Sequence, residues 1–256
     1  MGDMDIAHRM IEEATSAGAD IVKFQSYWGS DVPDDDPERE WFTRVQVSND
    51  QHKALKTHAE ELGVQFLSSP FSIERARFLC EELGLQKIKI ASSEMMNFPL
   101  LDYVNEHAST VFMSTGLSNL EEIDESLSHL KQVANCYVLH CCTQYPASDG
   151  QANLQAISTM RQAFPDKMIG YSDHTLGIDA AVASVALGAQ VVEKHFTLGK
   201  TLPGTDHLIS AAPSDLKDMV ERIRRVEVLL GDGVKQPTAE ELEIREFVRN
   251  RWHKRK

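Results

Sequence analysis

The chain holds no apolar run approaching the roughly 20 residues that span a bilayer. Its N-terminus has no basic region followed by an apolar core, so no signal peptide is expected and the cytoplasm is the expected compartment. Cysteine is scarce. Cys80, Cys136, Cys141 and Cys142 include no CxxC pair, which argues against a structural zinc site and leaves free thiols as the expectation. Positive charge is also short: 26 Lys and Arg stand against 39 Asp and Glu, a formal net charge of −13. That balance argues against nonspecific binding to nucleic acid or to an anionic membrane. A small anionic substrate stays compatible with it, because a few lysines and backbone N–H groups can reverse the field inside a pocket.

What is present is an ordinary hydrophobic share, 42%, over 256 residues, a length common for α/β barrels. Residues 4–17 have helical spacing, with Ile6, Met10, Ile11 and Ala14 on one face, and Gly18 stops that helix. Ile21–Gln25 reads as a buried strand with Lys23 inside it. A lysine there is costly unless it faces a polar cavity or a partner, so Lys23 reads as a substrate-side residue. Ser26–Asn49 reads as a long loop, acidic at Asp34-Asp35-Asp36, whose Trp28, Trp41 and Phe42 predict that it folds over the pocket.

An αβ pattern then repeats. Strands are expected at Val64–Ser68, Lys87–Ala91, Thr110–Met113, Tyr137–Cys141, Met168–Tyr171 and Val191–His195. Helices are expected at Gln51–Leu62, Ile73–Leu83, Pro99–Glu106, Leu120–Leu130, Leu154–Phe164, Ile178–Leu187 and Pro213–Leu230. Seven strands alternating with eight helices predict an α/β fold with a parallel sheet inside its helices, a TIM (β/α)8-type barrel. The pattern opens on a helix where such a barrel opens on a strand, so the first strand is expected to be missing from this sequence. A fragment, a late start codon or an open sheet would each produce that pattern.

The strand ends are polar: Lys23 and Gln25; Ser68 and Ser69; Lys89, Ser92 and Glu94; Ser114 and Thr115; His140, Thr143 and Tyr145; Ser172 and His174; Glu193 and His195. In barrel enzymes the active site lies at this end of the strands. Lysines, hydroxyls and turn N–H groups gathered there suit a phosphate. Any one of these serines reads as a turn or capping residue; their recurrence after successive strands carries the inference. Gly116 leaves the backbone free to approach a ligand closely. From Gly170 to Ser210, two short apolar runs each end in a histidine, with Asp206 and His207 just beyond. At adjacent strand ends His174 and His195 converge, and neutral imidazole is a common ligand for a divalent metal. The expectation is a metal that works on an aldehyde; the alternative is a pair of partly buried structural histidines.

The motifs Val22-Lys23-Phe24-Gln25, Ser68-Ser69-Pro70-Phe71, Lys89 to Glu94, Asn97-Phe98-Pro99-Leu100, Ser114-Thr115-Gly116, His140-Cys141 with Tyr145-Pro146, Gly170 to Thr175, Glu193 to Thr197 and Pro203 to His207 run in order along the chain. Together they resemble the sialic acid synthase family, of the N-acetylneuraminate or N,N'-diacetyllegionaminate synthase type. The resemblance implies a transferase that condenses phosphoenolpyruvate with an N-acetylated hexosamine aldehyde, N-acetylmannosamine or a relative. The product is a nine-carbon 2-keto sugar acid, and phosphate is released. By motif, Lys89, Ser92, Ser114 and Ser172 are implied as phosphoenolpyruvate ligands. Ser69 joins the expected substrate-binding set, as does Thr143, which stands where many members have Asn or Ser. Lys23, Glu94, Tyr145 and Asp206 are implied as catalytic or sugar-side contacts, and His174 and His195 as ligands of Mn2+ or Mg2+. A homodimer is implied as well. The Pro203–His207 motif resembles the sialic and legionaminic branches more than the pseudaminic one. The family's opening strand carries a Glu-Ile-Gly-x-Asn-His-x-Gly-Asp pattern, of which only Gly2-Asp3 is recognisable here. The barrel is expected over residues 1–236, with 237–256 as a tail or the start of a linker and the family's antifreeze-like domain absent. The alternative is a truncated, catalytically impaired barrel acting as a sugar- or phosphate-binding or assembly subunit; a different metal barrel enzyme, an aldolase or hydrolase, is a third reading.

Overall fold

Apolar alternation and capping signals build the elements locally. The computed structural model describes residues 3–252, so Gly2 and the Arg255–Lys256 end lie outside the described residues. Seven strands occur among them: β1 (Ile21–Ser26), β2 (Gln65–Pro70), β3 (Lys87–Ile90), β4 (Thr110–Ser114), β5 (Asn135–Cys141), β6 (Met168–Asp173) and β7 (Val192–Lys194). The helices are α1 (Met4–Ser16), α2 (Arg39–Val45), α3 (Asn49–Glu61), α4 (Ile73–Arg77), α5 (Phe98–His107), α6 (Leu120–Ser128), α7 (Asp149–Ala152), α8 (Gln155–Ala163), α9 (Asp179–Ala186), α10 (Pro213–Leu230) and α11 (Ala239–Asn250). Among the described residues no helix is long and apolar enough to cross a membrane.

Helix starts follow from short side chains that take up the first free N–H groups. Asp3 accepts from the N–H of Asp5 and Ile6, and Ser48 with Gln51, and Asn119 with Glu122, form reciprocal capping pairs. Gly18, at φ +90°, ends the first helical unit in a conformation that a side chain would oppose. Strand β4 is buried along its whole length, as expected of a parallel strand covered on both faces. The core lies between sheet and helices, where Ile11, Leu55, Leu79, Ile88, Leu101 and Met113 are each at most 1% exposed. Inside the curved sheet, Leu67, Phe112 and Leu139 form a smaller apolar layer.

All pairings are parallel, β1 with β2 and β3-β4-β5-β6-β7 in sequence order. The two runs are stitched where Ser69 Oγ donates to Lys89 O at 3.1 Å. The result is the expected α/β, barrel-like parallel sheet with helices outside. Between β1 and β7 lies a cavity of about 670 Å3, lined by Ile21–Gln25 on one side and Val191–Phe196 on the other. Neither strand pairs across it among the described residues.

Four details depart from the sequence expectation. The Ser26–Asn49 stretch contains a 3-10 turn at Gly29–Asp31 and α2. The helix expected at Ile73–Leu83 is α4 followed by a wide π turn over Phe78–Glu82. Strand β7 stops at Lys194, so His195 stands just beyond it; there the chain turns to a new partner, with Ala211 N donating to His195 O at 2.7 Å. Residues 239–250, read as tail, form α11, because Thr238 and Glu241 make a capping pair; its residues are exposed throughout.

Candidate active site

The parallel register carries chemistry-bearing side chains to one end of the sheet. Lys89, 2% exposed near the end of β3, donates from Nζ to Ser114 Oγ at 2.7 Å and to Ile90 O at 2.8 Å. Its Nζ is 3.8 Å from Glu193 Oε2, and Lys23 Nζ is 3.8 Å from Glu193 Oε1. Ser172 Oγ donates to Glu193 Oε1 at 3.4 Å. Glu193 is thus a carboxylate shared by two lysines. Burial would raise its pKa, but Lys89, Lys23 and the two nearby imidazoles hold it down to about 2. Burial pushes Lys89 down to about 8, against the opposing pull of Glu193.

Beside this cluster is a small cradle. Gly116 N donates to Ser92 Oγ at 3.0 Å. A methyl group on Gly116 would overlap Thr143 Oγ1 and lie 2.9 Å from Ser92 Oγ, so only glycine lets these three turns meet. Thr143 Oγ1 is buried and has no hydrogen-bond partner among the described residues. A buried hydroxyl in that state is matched to a polar ligand.

His174 and His195 face each other with ring centroids 5.2 Å apart. The Tyr145 ring lies 4.2 Å from that of His174 and 5.9 Å from that of His195. His174 Nδ1 is 2.7 Å from Cys142 O, so that nitrogen carries a proton and Nε2 is the one left to turn to a ligand; against burial, Cys141 and Cys142 O raise its pKa. His195 Nδ1 is 3.6 Å from Asp206 Oδ2. Burial, then Lys23 and His174, push His195 down to about 4, which keeps it neutral near pH 7. These features suit a divalent cation. Among the described residues no group of three or more His, Cys, Asp or Glu is placed to hold a metal ion, so the two facing imidazoles are the residues that would hold one.

A buried network anchors both ring-bearing turns. Lys194 Nζ donates to Asp173 Oδ2 at 2.8 Å and to Thr175 O at 2.6 Å. Asp173 Oδ1 accepts from Tyr171 Oη at 3.1 Å and from Thr175 N and Oγ1, both at 2.8 Å. Asp173 immediately precedes His174 and Lys194 immediately precedes His195.

Of the residues expected from the sequence, Lys23, Lys89, Ser114 and Ser172 gather around Glu193; Ser92 and Thr143 gather around Gly116; and Tyr145, Asp206, His174 and His195 form the third group. Two others make local hydrogen bonds. Ser69 stitches β2 to β3, and the Glu94 carboxylate is tied to Asn97 Nδ2 at 2.8 Å and Ser93 Oγ at 3.3 Å. His140 turns toward the helices, with Nε2 2.8 Å from Ala152 O. Sequence reasoning placed Glu193 at a polar strand end without giving it a role, and passed over Asp173 and Lys194 as site residues. The available signal was a charge inside or beside each apolar run that ends in a histidine.

A model of the NeuB family matches residues 10–235. The chain belongs to the NeuB family. This NeuB-family chain is 38% identical to the N,N'-diacetyllegionaminic acid synthase of Campylobacter jejuni, over 94% of this chain and 77% of that protein. It is 34% identical to the human N-acetylneuraminate-9-phosphate synthase, over 92% of this chain and 69% of that protein. Among solved structures, the N-acetylneuraminic acid (sialic acid) synthetase of Leptospira borgpetersenii, in complex with citrate, superposes with a TM-score of 0.90 at 33% identity. That match covers 100% of this chain and 89% of the other. The family resemblance read from the sequence motifs is therefore borne out, and so is the barrel-like α/β class.

Proposed function

We propose that this protein condenses phosphoenolpyruvate with an N-acetylated hexosamine aldehyde to a nine-carbon 2-keto sugar acid, with release of phosphate. One observation carries the reading: a two-lysine, hydroxyl-lined cluster and a pair of facing imidazoles stand together around Glu193 and His195 at the ends of parallel strands. The names of the C. jejuni and human relatives support it at the level of the reaction class.

In this mechanism Lys89, Ser114, Ser172, Ser92 and Thr143 hold the carboxylate and phosphate of phosphoenolpyruvate, with Gly116 leaving room for them. Tyr145 and Asp206 border the acceptor sugar on the imidazole side. His174 and His195 hold a divalent cation, Mn2+ or Mg2+, which when bound supplies Lewis acidity toward the aldehyde oxygen. C3 of phosphoenolpyruvate attacks the aldehyde carbon, and positive charge develops at C2. Glu193, ionised between its lysines, faces that charge; water then captures C2 and gives up its proton to the alkoxide formed from the aldehyde oxygen, and the tetrahedral product loses phosphate as the bond from C2 to the phosphate oxygen breaks and the 2-ketone forms. Alignment of two bound reactants contributes up to about 7–11 kcal/mol toward the barrier.

The test is phosphate release from phosphoenolpyruvate with Mn2+ and either N-acetylmannosamine or a diacetylated hexosamine. Release with one of them supports the reading. No release with either, at any metal loading, overturns it in favour of a binding or assembly role.

A further inference from the structure

The segment between Ser26 and Asn49 is held at both feet by one side chain. Arg75, on α4, is 1% exposed. Its Nε donates to Ser26 Oγ at 2.8 Å and its Nη1 to Asn49 Oδ1 at 2.6 Å. Ser26 ends β1 and Asn49 opens α3. The guanidinium lies 4.3 Å from the Trp28 ring centroid and 4.6 Å from that of Phe78. Among the described residues no carboxylate forms a salt bridge with it. Burying a guanidinium without a carboxylate is unfavourable unless rings and neutral acceptors take up its charge and protons. Here Ser26, Trp28 and Asn49 come from the two ends of the segment and Phe78 from the turn after α4, while Nη2 is buried with no hydrogen-bond partner among the described residues.

Further contacts close the segment on itself. Trp28 Nε1 donates to Glu74 Oε1 at 3.1 Å, and Gly29 N donates to Gln46 Oε1 at 2.7 Å. The Tyr27 ring sits edge-on to Phe42 at 5.3 Å and to Phe71 at 5.9 Å. So folded, α2 presents Trp41 to the turn that carries Asp206: a methyl group on Gly204 would lie 3.7 Å from Trp41 Cζ2. Tyr27, Val45 and Val47 line the same cavity as Lys23, Glu193, His195 and Asp206. The segment therefore walls the imidazole side of the mouth, away from Gly116 and Thr143.

We propose that Arg75 is a positioning residue that staples residues 27–48 into a fixed apolar wall, and that this wall, through Trp41 and Tyr27, selects the acceptor sugar by its N-acyl substituents. The selectivity rests on the condensation reading; the staple does not. To the cavity the wall offers the Tyr27 ring, Val45 and Val47, with Arg44 lying on the Trp41 ring behind them, a surface that fits an acyl methyl group.

Two readouts test it. Arg44 lies within the segment, so trypsin reports whether the segment opens. Arg75→Met is expected to be cut after Arg44 at least about 10-fold faster than wild type, because local opening governs such cleavage. It should also raise the acceptor KM about 10-fold and leave the phosphoenolpyruvate KM unchanged. Trp41→Ala should keep the wild-type cutting rate and compress by about 10-fold the kcat/KM ratio between mono- and diacetylated acceptors. Should Arg75→Met fail to fold, Asn49→Ala unhooks one foot and leaves the guanidinium on its rings, with the same expected direction. Unchanged cutting overturns the staple. Faster cutting with an unchanged acceptor KM overturns the wall's role. Wild-type protein without turnover on any acceptor overturns the condensation reading and the selectivity with it, while the cutting rate still decides the staple.

Discussion

Lys89 has almost no contact with solvent, yet its ammonium must be charged to hold an anion. Burial pushes its pKa down to about 8, and Glu193 limits the drop. The charge is therefore present below about pH 8 and lost above it, so an ester held by Lys89 loosens as pH rises through that value. The phosphoenolpyruvate KM, measured from about pH 6 to about pH 10, should be flat and then climb above about pH 8. Lys89→Met should weaken binding by about 10- to 100-fold and abolish the climb, since charged hydrogen bonds contribute about 1.5–3 kcal/mol. A pH-independent KM in the wild type would contradict this role. His195 shows the opposite requirement: pushed down to about 4, it stays neutral, the form that ligates a metal. His195→Ala should lower Mn2+ affinity by at least about 10-fold, by calorimetry, with an unfolding midpoint within about 4 °C of wild type. Unchanged Mn2+ binding would remove His195 from the ligand set.

At the scale of elements, the ends of β6 and β7 are joined by Asp173 and Lys194, whose side chains are 0% and 1% exposed. Removing one member leaves the other buried and uncompensated, which costs about 3–5 kcal/mol. Asp173→Asn should therefore lower the unfolding midpoint by about 6–20 °C, at about 2–4 °C per kcal/mol for a chain of this size. Differential scanning calorimetry checks this, and a shift of under about 2 °C would mean that the network does not brace the two turns. These elements were largely legible in advance. Short apolar runs marked all seven strands, because that signal is local. The end of β7 was not legible: the handover of His195 to Ala211 is a contact between segments, and no residue near His195 announces it.

Over the whole molecule, the least uniform feature is the seam between β1 and β7. Strands β4 and β5 are paired on both edges, whereas β1 and β7 each have one edge facing the cavity. Unpaired backbone groups exchange readily and open at lower free energy. Hydrogen-exchange mass spectrometry should show residues 21–26 and 192–194 exchanging at least about 10-fold faster than 110–114 and 135–141. Equal protection would mean that the seam is closed in solution.

The chain by itself determined the alternation of elements, the polar character of every strand end and the two histidines that close successive runs, because each is written in the spacing of neighbouring residues. Only the tertiary structure decided that Glu193 would stand between Lys23 and Lys89, that Ser69 would reach across to Lys89 O, and that Arg75 would grip both feet of one loop. The reason is geometric. Those contacts cross the mouth of a curved sheet, and their distances depend on strand order, register and curvature together, quantities that no local pattern of side chains contains.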